Sequence, residues 1–267
     1  MIHNTHKGLM GMKRTHASDA WRVAAFLALS GGFQDAYSFL ARGHVFANAQ
    51  TGNIVLFGTK VFALDIAGAI HYLLPVTAFM LGVLAAFFLR RRSVTLHWRQ
   101  EVLIVEVVLL FVVGFIPSGF DFAANAIVSF TCAMQVQAFR KIHGNVYSST
   151  MCIGNLRSFA EWGGRALSGG GRRAWLRAER YLGIIALFAL GATLGSLAVP
   201  KLGIRAIWCS CVLLVVSFAL MFEKRELEQK SKTEQMWVYG IIFAVNTKRK
   251  MVNYVRSECH THNPSHA

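Results

Sequence analysis

The chain has 267 residues, of which 54% are hydrophobic and only 15% are charged, against about 25% charged residues in a soluble globular domain. The formal net charge is +15, but the basic residues cluster between long apolar runs, whereas nucleic-acid-binding proteins carry them on a polar face. The composition therefore argues against a soluble domain and a nucleic-acid partner. It indicates a membrane protein whose basic clusters follow the positive-inside rule and attract anionic lipid headgroups.

The N-terminal residues 1–20 are basic and precede a first apolar segment. A secretory signal peptide is an alternative, because Ala47-Asn48-Ala49 resembles a cleavage site. These alanines come too long after the apolar run, and Gln34 and Asp35 interrupt it, so the alternative is the weaker one. We predict a cytoplasmic N-terminus that leads into a membrane span.

Six segments are candidates to cross the bilayer, which takes about 20 mostly apolar residues. They are residues 21–40, 72–89, 102–120, 122–139, 181–199 and 203–222. The fourth carries Asn125, Gln135 and Gln137, which are tolerated where they face a bundle interior. We predict an all-α integral membrane protein with a membrane domain over 21–222 and a basic cytoplasmic tail over 223–267.

Two further segments, 43–63 and 144–162, are semi-polar, and their status decides between six and eight spans. Eight spans would turn the Arg90-Arg91-Arg92 triplet and Arg140-Lys141 outward, against the preference of basic loops for the cytoplasm. We therefore predict six transmembrane helices with both termini inside, and half-helical or re-entrant segments at 43–63 and 144–162.

The two halves are related by a shift of 102 positions. The shift carries Gly52-Asn53 onto Gly154-Asn155 and Asp35 onto Gln137, and in both halves one apolar segment precedes the Gly-Asn motif and two follow it. Three spans per half force the second half to enter from the opposite side. The pattern predicts two inverted three-span repeats, about 21–120 and 122–222, with polar residues near the membrane midplane.

The Gly-Asn motifs can act in two ways. Glycine permits a tight turn and Asn can cap a helix or contact a ligand, so each motif is either a surface turn or part of a cavity wall. The matched positions favour a shared polar site for a small molecule or ion. Its candidate residues are Gln34, Asp35, Thr51, Gly52, Asn53, Gln135, Gln137, Gly154, Asn155 and Arg157.

Two carboxylates within apolar segments are candidates for proton or cation coupling. Asp35 lies near the end of the first span, where it is either such a site or a capping, snorkelling residue. Glu106 lies either at the interface or inside the bundle, where it would be a second site for proton uptake. Arg157 follows the second motif and suits either an anionic substrate group or a cytoplasmic anchor.

The segment 163–180 contains three successive glycines and then Arg172, Arg173, Arg177 and Arg180. It predicts a flexible cytoplasmic linker into a basic interfacial helix that contacts anionic lipid. After residue 222, the short apolar run 236–245 is either an interfacial helix or part of a disordered tail.

Neither a metal nor a cofactor is expected. Cys259, His260 and His262 lack the spacing of a standard metal site, and the odd number of cysteines gives no disulfide framework. No phosphate-binding loop, dinucleotide fingerprint, metalloprotease helix or nucleophile elbow occurs. We therefore expect no enzyme activity.

The stretches GGFQDAYSFLARGHVFANAQTGNIVLFG at 31–58 and AFRKIHGNVYSSTMCIGNLRSFAE at 138–161 resemble the paired motifs of the YoaK-like family of bacterial membrane proteins, domain of unknown function 1275. The resemblance implies a bacterial cytoplasmic (inner) membrane protein. It marks Asp35, Thr51-Gly52-Asn53, Gly154-Asn155 and Arg157 as motif positions without assigned roles. Ile153 departs from the threonine that often precedes the second Gly-Asn.

The leading functional hypothesis is a small secondary transporter or permease with a central polar site. The alternative is a non-transporting membrane protein that binds lipid or a partner through its basic linker. The sequence predicts neither the substrate nor the oligomeric state.

Overall fold

The structure is a computed structural model that describes residues 3–92, 98–142, 145–146 and 152–221. The chain divides into two compact units, Met1–Met221 and Phe222–Ala267. The second unit, with the predicted tail helix and the Cys259-His260 pair, lies outside the described residues.

The described chain is almost entirely helical, which confirms the all-α class. The helices are α1 (His3–Ala41), α2 (Gln50–Phe62), α3 (Ile66–Arg92), α4 (Trp98–Val113), α5 (Asp121–Ala138), α6 (Cys152–Arg165), α7 (Gly171–Leu202) and α8 (207–221). A π-helical turn, Ala166–Gly170, joins α6 to α7, and a 3-10 turn, Gly203–Ala206, joins α7 to α8. The strands β1 (Lys141–Ile142) and β2 (Asn145–Val146) form a small antiparallel hairpin.

The outer surface of the bundle is apolar. Two described segments are long and apolar enough to cross a membrane by length and composition, α3 and a stretch within the run Cys152–Met221. Large side chains such as Phe88 (61% exposed), Leu197 (60%) and Val212 (62%) point outward. Contiguous exposed apolar surface of this kind marks contact with a membrane or another protein.

Glycines bring α1 and α7 into backbone contact. Trp21 of α1 lies beside Gly183 of α7, and a Cβ added at Gly191 of α7 would overlap the Leu29 carbonyl oxygen of α1. The contacting residues thus have increasing numbers in both helices, which means that the two helices are parallel. The Gly191-to-Gly195 spacing thus serves packing within the chain, as small residues do in membrane helices. Gly82 of α3 makes the equivalent close approach to the backbone of α5 at Phe130.

Side-chain contacts group the helix ends at two opposite ends of the bundle. At the first, the Arg42 end, Arg42 after α1 donates to the carbonyl oxygen of Val113 in α4 at 3.0 Å and to Asp121 of α5 at 2.9 Å. At the second, the Arg99 end, the Arg99 guanidinium at the start of α4 lies 5.9 Å from the Phe139 ring after α5. The helices α4 and α5 therefore run in opposite directions between these ends.

The helices α2 and α6 are too short to cross a bilayer. They have 13 and 14 residues, about 20 Å at 1.5 Å per residue, against a hydrocarbon core of about 30 Å. They begin at Gln50 and Cys152, which are 102 positions apart (152 − 50). The irregular segment 42–49 before α2 is held within the protein, since Val45, Ala47 and Asn48 are buried.

Candidate functional site

A cavity of about 890 Å³ lies where both short helices begin. Asp35 of α1 lines it, together with Thr51 in the first turn of α2 and Gly154 in the first turn of α6. Phe79 of α3 and Phe188 of α7 complete the wall. The structure thus brings one carboxylate and the starts of the two Gly-Asn helices to one cavity.

The polar part of the wall includes the Asp35 carboxylate and the Asn48 and Gln50 amides, besides the hydroxyl groups of Thr51 and Ser196. Asp35 is 8% exposed, and its Oδ1 accepts the Asn48 backbone N–H at 2.7 Å. The Asn48 amide nitrogen donates to the Gly31 carbonyl oxygen at 3.1 Å. The Asn48 Oδ1, on a side chain that is 3% exposed, has no hydrogen-bond partner among the described residues. Buried polar atoms are normally paired, so this unpaired oxygen is an exception.

The rest of the wall is mainly apolar and aromatic. Phe39 and Phe46 stack with ring centroids 4.9 Å apart, and both line the cavity with Phe79 and Phe188. Among the described residues that line it, none is Arg, Lys or His. The cavity volume and lining are typical of a small-molecule site, in which a few polar groups orient an apolar ligand.

Asn53 shapes the cavity without lining it. Its Oδ1 accepts the Phe46 backbone N–H at 3.0 Å, and its Nδ2 donates to the Phe46 carbonyl oxygen at 2.7 Å and to Gln50 Oε1 at 2.9 Å. Gly52 leaves room for the Phe46 ring, which lies 3.0 Å from where a Cβ would stand. The first Gly-Asn pair therefore clamps the segment that presents Phe46 and Asn48.

A second polar cluster, the Glu106 network, lies inside the bundle. Glu106 is fully buried, which favours the interior over the interfacial alternative for this residue. Gln34 Nε2 donates to Glu106 Oε1 at 3.3 Å and to Ser210 Oγ at 3.0 Å, and its Oε1 accepts the Cys132 thiol at 2.7 Å. When the Gln135 side-chain amide is oriented with its nitrogen toward Glu106, that nitrogen donates to Glu106 Oε1 at 2.7 Å and Oε2 at 3.2 Å.

The predicted site residues thus fall into separate groups. Asp35, Thr51 and Gly154 meet at the cavity, whereas Gln34 and Gln135 belong to the Glu106 network. The remaining predicted residues do not line the cavity: Gly52 and Asn53 support it, Asn155 is buried, Gln137 is half-buried and Arg157 is exposed.

Sequence reasoning missed two important side chains. Asn48 enters the sequence analysis only within a cleavage-site pattern, although it lies three residues before the Thr-Gly-Asn motif. Arg42 is not among the predicted site residues, but it is fully buried. A basic residue on the side expected to be poor in basic residues is a signal that could identify it.

Comparisons with known proteins agree with the resemblance. A family model described as "Protein of unknown function (DUF1275)" matches residues 23–220. The "UPF0700 transmembrane protein YoaK" of Bacillus subtilis (strain 168) is 30% identical over 202 residues, which cover 72% of this chain and 89% of that protein. No solved structure gives a significant match.

Proposed function

The chain belongs to the DUF1275 family of membrane proteins, and we propose that it is a small secondary transporter or permease whose substrate site is the cavity at Asp35. The observation that carries the proposal is that Asp35 and the first turns of both short helices line one cavity. In secondary transporters, broken helices meet at a substrate site near the bilayer midplane.

The helix order supports six spans in two inverted repeats. The two halves have the same order, a helix before the Gly-Asn motif, a short helix that carries the motif and two further helices, so that α1 to α4 correspond to α5 to α8. Exchanging the halves replaces α1 by α5 and α7 by α3. The pair α1 and α7 therefore corresponds to the pair α5 and α3, and the helices of both pairs are in contact. A pseudo-two-fold relation in the membrane plane produces this exchange.

In the proposed mechanism, one half rocks against the other around the cavity. The short helices α2 and α6 start at the cavity and would run toward opposite membrane surfaces. Asp35 is our choice for the group that exchanges a proton or cation with the cavity, because it lines the wall whereas Glu106 lies in the separate network. The mechanism assigns no catalytic step to any residue.

The Arg99 end would face the cytoplasm of a bacterial inner membrane, with both termini on that side. This orientation follows the arginines of α3, Arg90, Arg91 and Arg92, which end that helix. Basic loops prefer the cytoplasm. Because six spans are an even number, both termini lie on the same side of the membrane, which in this orientation is the cytoplasmic side.

The alternative function, lipid or partner binding through the basic segment, is supported by an aromatic and basic patch. The Arg165 and Arg177 guanidinium groups lie 4.6 and 4.2 Å from the Trp162 ring, and Arg172 and Arg173 are exposed. Such a patch suits anionic headgroups. If this were the main role, replacing Arg172, Arg173 and Arg177 by Gln would abolish function, whereas changes at Asp35 would be tolerated.

A test of transport that needs no known substrate is access to the cavity from both sides. Thr51→Cys, in a chain whose five native cysteines are replaced, should react with an impermeant thiol reagent in right-side-out and in inverted vesicles. Phe62→Cys, at the far end of α2 and 91% exposed, is the control and should react from one side only. Reaction of Thr51→Cys from a single side would argue against alternating access.

A further inference from the structure

From the chemistry of the cavity wall, we infer that its ligand is a small organic ammonium compound, a protonated amine on an apolar or aromatic body. The inference deepens the proposed function, since it names the substrate class of the same site. It concerns binding, however, and can be tested without transport.

The carboxylate in the wall calls for a ligand that donates hydrogen bonds. Asp35 is the one acidic side chain among the described residues that line the cavity, and its Oδ1 accepts one backbone N–H. An ammonium group carries three donors and no acceptor. It can therefore donate to the Asp35 carboxylate, and its charge opposes that of Asp35.

The aromatic wall favours the same ligand class. Phe39, Phe46, Phe79 and Phe188 line the cavity, and the negative face of an aromatic ring attracts cations. The same rings suit an apolar ligand body. None of the described lining residues carries a positive charge, so none of them would compensate the Asp35 charge for an anionic ligand.

The N-terminus of α2 does not reverse this preference. It carries partial positive charge, which would favour an anion. At α2, however, the Gln50 N–H already donates to the Asn48 carbonyl oxygen at 3.1 Å, and the Gly52 N–H donates to that of Ala49 at 2.9 Å. Fewer free N–H groups are then left to bind an anion beside the Asp35 carboxylate.

The cavity is large enough for such a ligand. Its volume of about 890 Å³ falls within the range of about 300–1,000 Å³ for small-molecule sites. A phenylalkylamine and several water molecules fit into this space.

The experiment compares three probes that share a phenyl ring and differ in the head group. Isothermal titration calorimetry of the full-length protein in detergent would use 2-phenylethylamine, 2-phenylethanol and phenylacetate. The amine should bind about tenfold or more tightly than the other two, as expected from one charge-assisted hydrogen bond. Asp35→Asn should remove that advantage, whereas Asp65→Asn, the same change at an exposed turn, should preserve it.

A second measurement does not depend on the folding of an Asp35 variant. Thr51→Cys should react faster with a cationic methanethiosulfonate reagent than with an anionic one of similar size. The inference would be overturned by any one of three results: tighter binding of phenylacetate than of the amine, faster reaction of Thr51→Cys with the anionic reagent, or amine binding that survives Asp35→Asn. Amine binding with one-sided access to Thr51→Cys would support the ligand class and reject transport. Two-sided access without amine binding would support transport and reject the ligand class.

Discussion

The Arg42 guanidinium, fully buried at one end of the bundle, joins segments that are far apart in the chain. It donates to the Tyr37 hydroxyl at 2.8 Å, to Asp121 Oδ1 at 2.9 Å, and to the carbonyl oxygens of Val113 and Ile116 at 3.0 and 2.9 Å. Tyr37 in turn donates to the carbonyl oxygen of Ile204 at 3.0 Å. The planar fork of arginine suits such a junction, which lysine could not reproduce.

Replacing Arg42 by Met should lower the free energy of unfolding by about 3 kcal/mol, because it removes one partner of a largely buried ion pair and leaves carbonyl oxygens unpaired. Thermal or denaturant unfolding in detergent would measure the loss. The control is Lys60→Met. Lys60 pairs with Asp65 at 2.9 Å, but both side chains are 41% exposed.

The control pair is expected to contribute little. The Gly68 N–H and Lys60 hold the pKa of Asp65 below its ordinary value, yet exposed ion pairs are screened by water and salt. Lys60→Met should therefore leave unfolding unchanged. Equal losses in the two variants would contradict the structural role of Arg42.

At this scale the sequence predicted part of the site. The motifs identified Asp35, Thr51 and Gly154 through their types and positions. They could not show that Asp35 lines the cavity whereas Gln34 belongs to the Glu106 network. Neighbouring helical residues differ by about 100° in direction, and only the packing of the helices determines what each side chain faces. The sequence did not identify Asn48, because no spacing rule distinguishes a buried amide in an irregular segment from an exposed one.

Among the helices, the contact between α1 and α7 depends on glycine. A Cβ at Gly191 would overlap the Leu29 carbonyl oxygen, which belongs to the backbone and cannot move aside without shifting a helix. Gly191→Ala should therefore destabilise the protein by about 1–3 kcal/mol, the usual cost of overpacking. The comparison is Gly58→Ala in α2, where a Cβ meets no atom within 4 Å.

The helix propensity of alanine makes this comparison strict. Gly58→Ala should stabilise α2 slightly or leave it unchanged, since alanine is the better helix former. Thermal unfolding of both variants in the same detergent should show a lower transition temperature for Gly191→Ala and an equal or slightly higher one for Gly58→Ala. A Gly191→Ala protein as stable as the native one would mean that α1 and α7 are not in backbone contact.

The Asn53 clamp gives a prediction for the segment before α2. Asn53→Ala removes the hydrogen bonds to both backbone groups of Phe46 and should loosen residues 42–49. The reporter is Val45→Cys in the cysteine-free chain, since Val45 is fully buried and its cysteine should resist thiol reagents. Adding Asn53→Ala should raise the labelling rate, while adding Thr51→Ala at an exposed position should not. Equal rates in the two variants would contradict the clamp.

Most helices were predictable from hydropathy, but their ends were not. The predicted span 102–120 ends as a helix at Val113, where a loop with Pro117 and a left-handed Gly119 follows. The basic stretch 171–180 forms the first turns of α7, and is continuous with the rest of that helix. Charged side chains lower the hydropathy of a helix without ending it, so a hydropathy pattern misses such extensions.

At the scale of the whole molecule, two halves with the same helix order meet at one cavity. The sequence predicted this helix order through matched Gly-Asn positions and matched numbers of apolar segments. The exchanged pairing of α1 with α7 and of α3 with α5 was not predictable, because close helix packing depends on individual glycines and not on apolar content.

We expect these halves to enter the membrane from opposite sides. Single cysteines at Arg91 and Arg140, near the Arg99 end, and at Ser118, near the Arg42 end, would be labelled with an impermeant thiol reagent in intact cells. All three residues are exposed. Ser118→Cys should be labelled in intact cells, and Arg91→Cys and Arg140→Cys only after permeabilisation. Labelling of Arg91→Cys or Arg140→Cys from outside would contradict the inverted arrangement and remove the main support for a transporter.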